Sequence, residues 1–135
     1  MFEEEGAGGI IFDPEGNIVL TYAWGLGRKT NNEDEWLALF FGLELAKQLK
    51  ITKINVLGDS KQVIYKMNNG YNKGEIKIRR IYEPIRQVSA NAQVSYFHIL
   101  RGNNSDTDKL ANQGAKLKMR FSKVKGNLNN IIYVP

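Results

Sequence analysis

Lys50-Ile51-Thr52-Lys53-Ile54-Asn55-Val56-Leu57-Gly58-Asp59-Ser60 is the stretch on which the reading of this chain turns. Residues 50–57 are apolar enough and β-prone enough to predict a strand. Gly58 ends it. A helix opens there and runs to about Asn69, where Asn68-Asn69-Gly70 closes it. Sheets with helices on their faces place their chemistry at such strand ends and helix starts. Asp59 stands at one. It also has an ordinary role open to it, because an Asp beside a Ser can cap the next helix by accepting from its free amides.

Working outward, Gly8–Phe12 is a short apolar run and Ile18–Trp24 a second one. Asp13-Pro14-Glu15-Gly16-Asn17 between them carries turn residues, so the pair predicts a hairpin. A helix is expected from near Asn32, with Trp36, Leu39, Phe40 and Leu43 on its buried face. Downstream, Ile78, Ile81, Ile85 and Val88 predict a helix over 77–90. Gln93–Leu100 predicts a strand, and residues 106–116 a further helix. The tail is basic, then polar, and closes on Ile131-Ile132-Tyr133-Val134-Pro135. The order strand, strand, helix, strand, helix, helix, strand, helix points to an α/β sheet with flanking helices.

Two further acids fall at predicted helix starts, Glu35 and Asp108. Three carboxylates from separate elements can converge on a hard divalent cation, which prefers oxygen ligands. Such a cluster suits phosphoryl transfer. Each acid also has a structural reading. Asn32 with Glu35, and Ser105 with Asp108, have the spacing of a capping box, and the helix dipole favours acids in a first turn. The single histidine, His98, reads as a surface or half-buried strand residue. Trp24, Trp36, Tyr65, Tyr71 and Tyr82 read as core or flank residues, although aromatic rings can also stack on bases.

At 135 residues the chain predicts one domain with a real core. Without cysteine it has neither disulfides nor a thiolate metal site. No apolar run approaches the roughly 18 residues of a membrane span. The acidic start argues against a signal peptide, and the expectation is an intracellular monomer with no membrane partner. Charge is unevenly spread. Residues 1–60 hold 5 Lys/Arg against 10 Asp/Glu, and residues 61–135 hold 14 against 4. A basic half beside an acidic cluster suits a polyanion brought to cations. Lys73, Lys77, Arg79 and Arg80 form one basic group, and Lys116, Lys118, Arg120, Lys123 and Lys125 another.

Taken in order, these motifs resemble type 1 ribonuclease H domains of the reverse-transcriptase-like branch, found in plant and retroelement-derived proteins. Gly6-Ala7-Gly8-Gly9-Ile10-Ile11 resembles the start of that family's second strand, and Thr30-Asn31-Asn32-x-x-Glu35-x-x-Ala38-Leu39 its first helix. Gly58-Asp59-Ser60 resembles its strand-end motif. Arg101-x-x-Asn104-x-x-x-Asp108-x-Leu110-Ala111 resembles its closing motif. The resemblance implies a ribonuclease H-like mixed sheet with flanking helices over residues 1–118, followed by a basic and polar tail over 119–135. It implies hydrolysis of the RNA strand of RNA–DNA hybrids with Mg²⁺ or Mn²⁺ in a two-metal mechanism. Glu35, Asp59 and Asp108 would be the catalytic metal ligands. Asn31, Asn32 and Arg101 would contact nucleic acid, and no histidine is assigned a catalytic role.

This chain departs from the family at its start. The family's first strand carries an Asp-Gly signature and lies in the centre of the sheet. Met1-Phe2-Glu3-Glu4-Glu5 is too short to supply it, so either the sequence is truncated there or the domain has decayed, with activity reduced. Glu3, Glu4 or Glu5 are candidates for a substitute carboxylate, and Ile131–Val134 is a candidate to cover the gap. The alternative function is a non-catalytic module, derived from a retroelement, that binds hybrid or double-stranded RNA. A fragment without a stable fold is the third possibility.

Overall fold

The structure, a computed structural model, describes residues 6–25, 31–70, 76–99 and 129–135. Strands β1 (Gly6–Phe12) and β2 (Ile18–Gly25) form the expected antiparallel hairpin. Its turn is organised by one side chain. Asp13 Oδ1 accepts from the amides of Glu15 and Asn17 at 3.0 and 2.8 Å. The Gly16 amide donates to the Asp13 carbonyl at 2.9 Å, with Gly16 at φ +89°. That left-handed backbone carries no steric cost in glycine.

Helix α1 (Asn31–Gln48) follows. It lies against β1 and β5 on one side and α3 on the other, which is why apolar residues surround it rather than forming one stripe. Trp36, Leu39 and Leu43 are buried as expected, while Phe40 is partly buried against the same cluster. Its end accounts for a shifted strand. The Ile51 amide donates to the Ala46 carbonyl at 2.9 Å and the Lys50 amide to that of Lys47 at 3.0 Å, with Lys50 at φ 61°. This paired closure of a helix end uses residues 50 and 51. Strand β3 therefore begins at Lys53 rather than at Lys50, and runs to Gly58.

Helices α2 (Lys61–Asn69) and α3 (Ile76–Val88) lead to strand β4 (Gln93–His98). The predicted helix over 106–116 lies outside the described residues. Strand β5 (Asn130–Val134) completes a five-stranded sheet in the order β2-β1-β5-β3-β4. It runs antiparallel to β1, with Ile10 opposite Tyr133 and Phe12 opposite Ile131. Toward β3 it is parallel, with Ile54 opposite Asn130 and Gly58 opposite Val134.

The central position, expected to be missing, is thus filled from residues 130–134, within the span read as a tail. The physical reason is burial. Ile131, Ile132, Tyr133 and Val134 are all buried, and their backbone groups pair on both sides, which spares β1 and β3 the cost of unpaired buried amides and carbonyls. Alternation divides the core. Ile11, Ile54, Val56, Ile132 and Val134 join the α1 side, and Ile10, Phe12, Leu57, Ile131 and Tyr133 form a second cluster on the other face. Among the described residues no helix is long and apolar enough to cross a membrane.

Close packing between α1 and the sheet depends on Tyr22. Its hydroxyl donates to the Ala38 carbonyl at 2.7 Å. Gly9 of β1 and Gly42 of α1 flank the ring, and a Cβ at either position would collide with that hydroxyl. Burial pushes the Tyr22 hydroxyl far above its ordinary pKa.

Candidate active site

Strands β3, β4 and β5 are mutually parallel, so their carboxyl ends share one edge of the sheet. Asp59 stands at that edge, half-buried, in the step between β3 and α2. The cap of α2 is Ser60, not Asp59. Ser60 has extended backbone (φ −85°, ψ 103°), and its hydroxyl accepts from the Val63 amide at 3.3 Å. The Asp59 amide instead donates to the Val134 carbonyl at 3.2 Å, continuing the ladder between β3 and β5. Ser60 therefore takes the cap of α2, and the sheet holds the Asp59 backbone at the strand end.

Glu35 reaches the same place from α1. It is half-buried, and with Leu39, Val56, Gly58, Ser60, Val63, Ile64 and Val134 it lines a small cleft of about 10 Å³. The helix starts at Asn31, so Glu35 is its fifth residue. That is two positions past the one a capping box uses. Asn32 likewise lies inside the helix rather than before it. Asp34, one residue earlier, is more deeply buried than Glu35. The Glu33-Asp34-Glu35 run was its only sequence signal.

Glu35 lines that cleft with Gly58 and Ser60, the residues on either side of Asp59; Asp59 itself is not among the lining residues. Asn31 and Asn32 form the first turn of α1, while Asp108 and Arg101 lie outside the described residues. Among the described residues no group of three or more Asp, Glu, His or Cys side chains could hold a metal ion. His98 is exposed on β4, opposite Gly58, in line with a surface strand residue. Trp36 and Tyr82 are buried and meet edge to face, centroids 6.1 Å apart. Tyr65 departs from the core expectation: it is 64% exposed on α2.

Sequence reasoning missed Val134 as a lining residue, because nothing local to residues 129–135 names their neighbours. It also missed where α3 points its charge. The connection from Val88 to Gln93 is short, so α3, which packs on α1, runs opposite in direction to β4. At about 1.5 Å per helical residue and 3.3 Å per strand residue the two have similar lengths. The first turns of α3, with exposed Arg79 and Arg80, therefore lie toward the site edge.

The model of the reverse transcriptase-like family matches residues 3–114, and the chain belongs to that family. Its fold is ribonuclease H-like. It is 29% identical over 107 residues to ribonuclease HI of Halobacterium salinarum, covering 78% of this chain and 54% of that protein. The crystal structure of ribonuclease H1 from that archaeon superposes with a TM-score of 0.67 at 26% identity, over 86% of this chain and 92% of the other. The bifunctional protein Rv2228c of Mycobacterium tuberculosis is 28% identical over 109 residues, 79% of this chain and 30% of that one. LC11-RNase H1, solved in complex with an RNA/DNA hybrid, gives a TM-score of 0.68 at 24% identity, over 84% and 87% of the two chains. The chain spans about a third to a half of the length of these curated relatives.

Proposed function

We propose that this chain is a ribonuclease H-type domain that binds RNA–DNA hybrids and hydrolyses their RNA strand, with activity reduced by an incomplete cation site. The observation that carries this reading is that Glu35 lines a cleft with Gly58 and Ser60, the residues flanking Asp59, in a chain of this family. Ser60 rather than Asp59 is the cap of α2, and Glu35 is the fifth residue of α1. Glu35, Asp59 and Asp108 would hold Mg²⁺ or Mn²⁺; an all-carboxylate donor set suits these hard ions. Bound divalent ions supply an activated water and neutralise the departing oxygen.

The chain's own groups position the substrate. Asn31 and Asn32 at the start of α1, with Arg101, would contact the nucleic acid beside the cleft. Exposed Lys61, Arg79 and Arg80 would hold phosphates, which fixes register without reading sequence. Hybrid selection would rest on groove shape and on contacts to 2′-hydroxyls.

The second reading, a binding module without catalysis, is favoured by one observation. The central strand beside β3 carries no acid over Asn130–Val134. One experiment separates the two. A labelled hybrid is titrated by fluorescence anisotropy at about 50 and 200 mM salt, where phosphate-dominated binding weakens by roughly tenfold or more. Cleavage is then followed with Mg²⁺ or Mn²⁺. The nuclease reading expects slow metal-dependent cleavage that Asp59→Asn abolishes with hybrid affinity retained. Salt-sensitive binding without any cleavage selects the second reading. Cleavage that survives Asp59→Asn overturns the assignment of roles.

A further inference from the structure

At the end of β3 opposite Asp59 lies a second, larger cleft of about 80 Å³. It forms where α1 ends, β3 begins and α3 turns into β4. Leu43, Ile54 and Val88 give it an apolar floor, and Lys47, Lys50, Thr52, Ser89 and Asn91 also line it. No acid is among the lining residues. One water needs roughly 10–15 Å³, so the cleft admits a short apolar chain or a single ring. Lys47 and Lys50 are exposed, as lysines are that lay an apolar stem along a surface and keep the ammonium in water.

Two features give those lysines a use beyond solubility. Helix ends ordinarily offer free carbonyls that draw cations. Here the oxygens are already engaged. The Leu45, Ala46 and Lys47 carbonyls accept from the amides of Leu49, Ile51 and Lys50, and the Ile85 carbonyl accepts from both the amide and the hydroxyl of Ser89. The ammonium groups are not needed there, and they leave the mouth of the cleft positive. Lys50 also sits at φ 61°, in the left-handed region where glycine would close the helix at no steric cost. A lysine held in that conformation is strained, and such strain points to a side chain with a task. We propose that this cleft binds a small organic anion, a carboxylate or phosphate ester on a short apolar body. The body lies over Leu43, Ile54 and Val88. Lys47 and Lys50 hold the charged head, with the Asn91 amide and the Thr52 hydroxyl as further donors. The site is set apart from Asp59 by the length of β3 (Lys53–Gly58), roughly 17 Å, and it does not depend on the nuclease reading.

The full chain, labelled with ¹⁵N, is titrated with hexanoate and with butyl phosphate, and amide shifts are followed by NMR. Saturable shifts in the millimolar range are expected at residues 50–54 and 88–92, and not at 58–61. Binding of either probe there supports the proposal, and the tighter one names the head. Acetate lacks the apolar body and hexanol lacks the charge, so each should bind at least about fivefold more weakly than hexanoate. Lys50→Gly separates the two properties of that residue. It relieves the backbone and should raise the melting temperature, yet it should weaken the anion about fivefold, near the upper end of what an exposed charge pair supplies. Lys47→Gln should weaken the anion to a similar degree. Lys53 is exposed but does not line the cleft, so Lys53→Gln should change affinity less than about twofold. Three results each overturn the inference: no saturable shift at 50–54 and 88–92 with either probe, hexanol binding as tightly as hexanoate, or native affinity in both Lys50→Gly and Lys47→Gln.

Discussion

β3 and β5 are neighbours in the centre of one sheet, parallel and in register, and both are buried along most of their length. They differ in what they deliver at the shared edge. β3 ends in Gly58-Asp59-Ser60, and β5 ends in Val134-Pro135. A sheet asks of its central strand only apolar residues and a backbone that pairs on both sides. A cation asks for one particular oxygen at the end. A strand that satisfies the first need not satisfy the second, and β5 over Asn130–Val134 carries no acid.

The comparison breaks most readily at matched core positions. Ile54 of β3 and Ile132 of β5 are 2% and 1% exposed. Truncating either to alanine should cost about 2–5 kcal/mol, measured by urea unfolding. If Ile132→Ala costs far less than Ile54→Ala, β5 is not an equal partner in the core. Gly42→Ala should come next. Its new Cβ meets the Tyr22 hydroxyl and lies 3.0 Å from the Ile132 Cγ2. Forcing α1 away from β5 in this way should cost about 1–3 kcal/mol. Shortening Ile132 in the same chain should recover part of that loss, which reports directly on contact between α1 and β5.

The smallest change leaves both strands alone. Tyr22→Phe removes the bond to the Ala38 carbonyl and should cost about 1 kcal/mol. It also alters the alkaline limb of stability. Burial raises the pKa of Tyr22. It raises that of Tyr96 as well, with the Ser89 hydrogen bond opposing and nearby Tyr82 adding to the rise. In the unfolded chain both ionise near pH 10.0. Above that pH the unfolded state binds fewer protons than the folded one, so stability present below pH 10 is lost as pH rises. Tyr22 contributes about 1.4 kcal/mol per pH unit to that fall. The Tyr22→Phe variant should show a shallower alkaline slope, with the matched β3 and β5 truncations unchanged relative to each other.

Local chemistry in the sequence announced most of the fold. Asp13 through Asn17 specified the hairpin turn, because one Asp side chain and one left-handed Gly suffice to build it. Trp36, Leu39 and Leu43 gave α1, and Ile78 and Ile85 gave α3. The central strand was harder to read. Residues 131–134 look like a strand from their own composition, but their partners are over seventy positions away in β3 and over one hundred and fifteen away in β1, and periodicity carries no information about such pairs. The Asn130 side-chain amide donating to the Phe12 carbonyl at 3.3 Å spans that distance. At the site, Glu35 and Asp59 were legible as acids at element ends. Their rival role as caps was not decidable from spacing, because a shift of one residue in a helix start reassigns the cap. Here Ser60 takes it, and Asp59 is left to the edge.

The order of synthesis gives β5 one more consequence. Among the described residues four strands and three helices precede residues 130–134, yet the slot between β1 and β3 closes only when those residues dock. Until then the nascent chain shows two apolar strand edges that have no neighbour. Pairing at such long range is slow to form and leaves collapsed states open to aggregation. Closing that slot is therefore the long-range step of folding, expected to be slower than forming the local hairpin of β1 and β2.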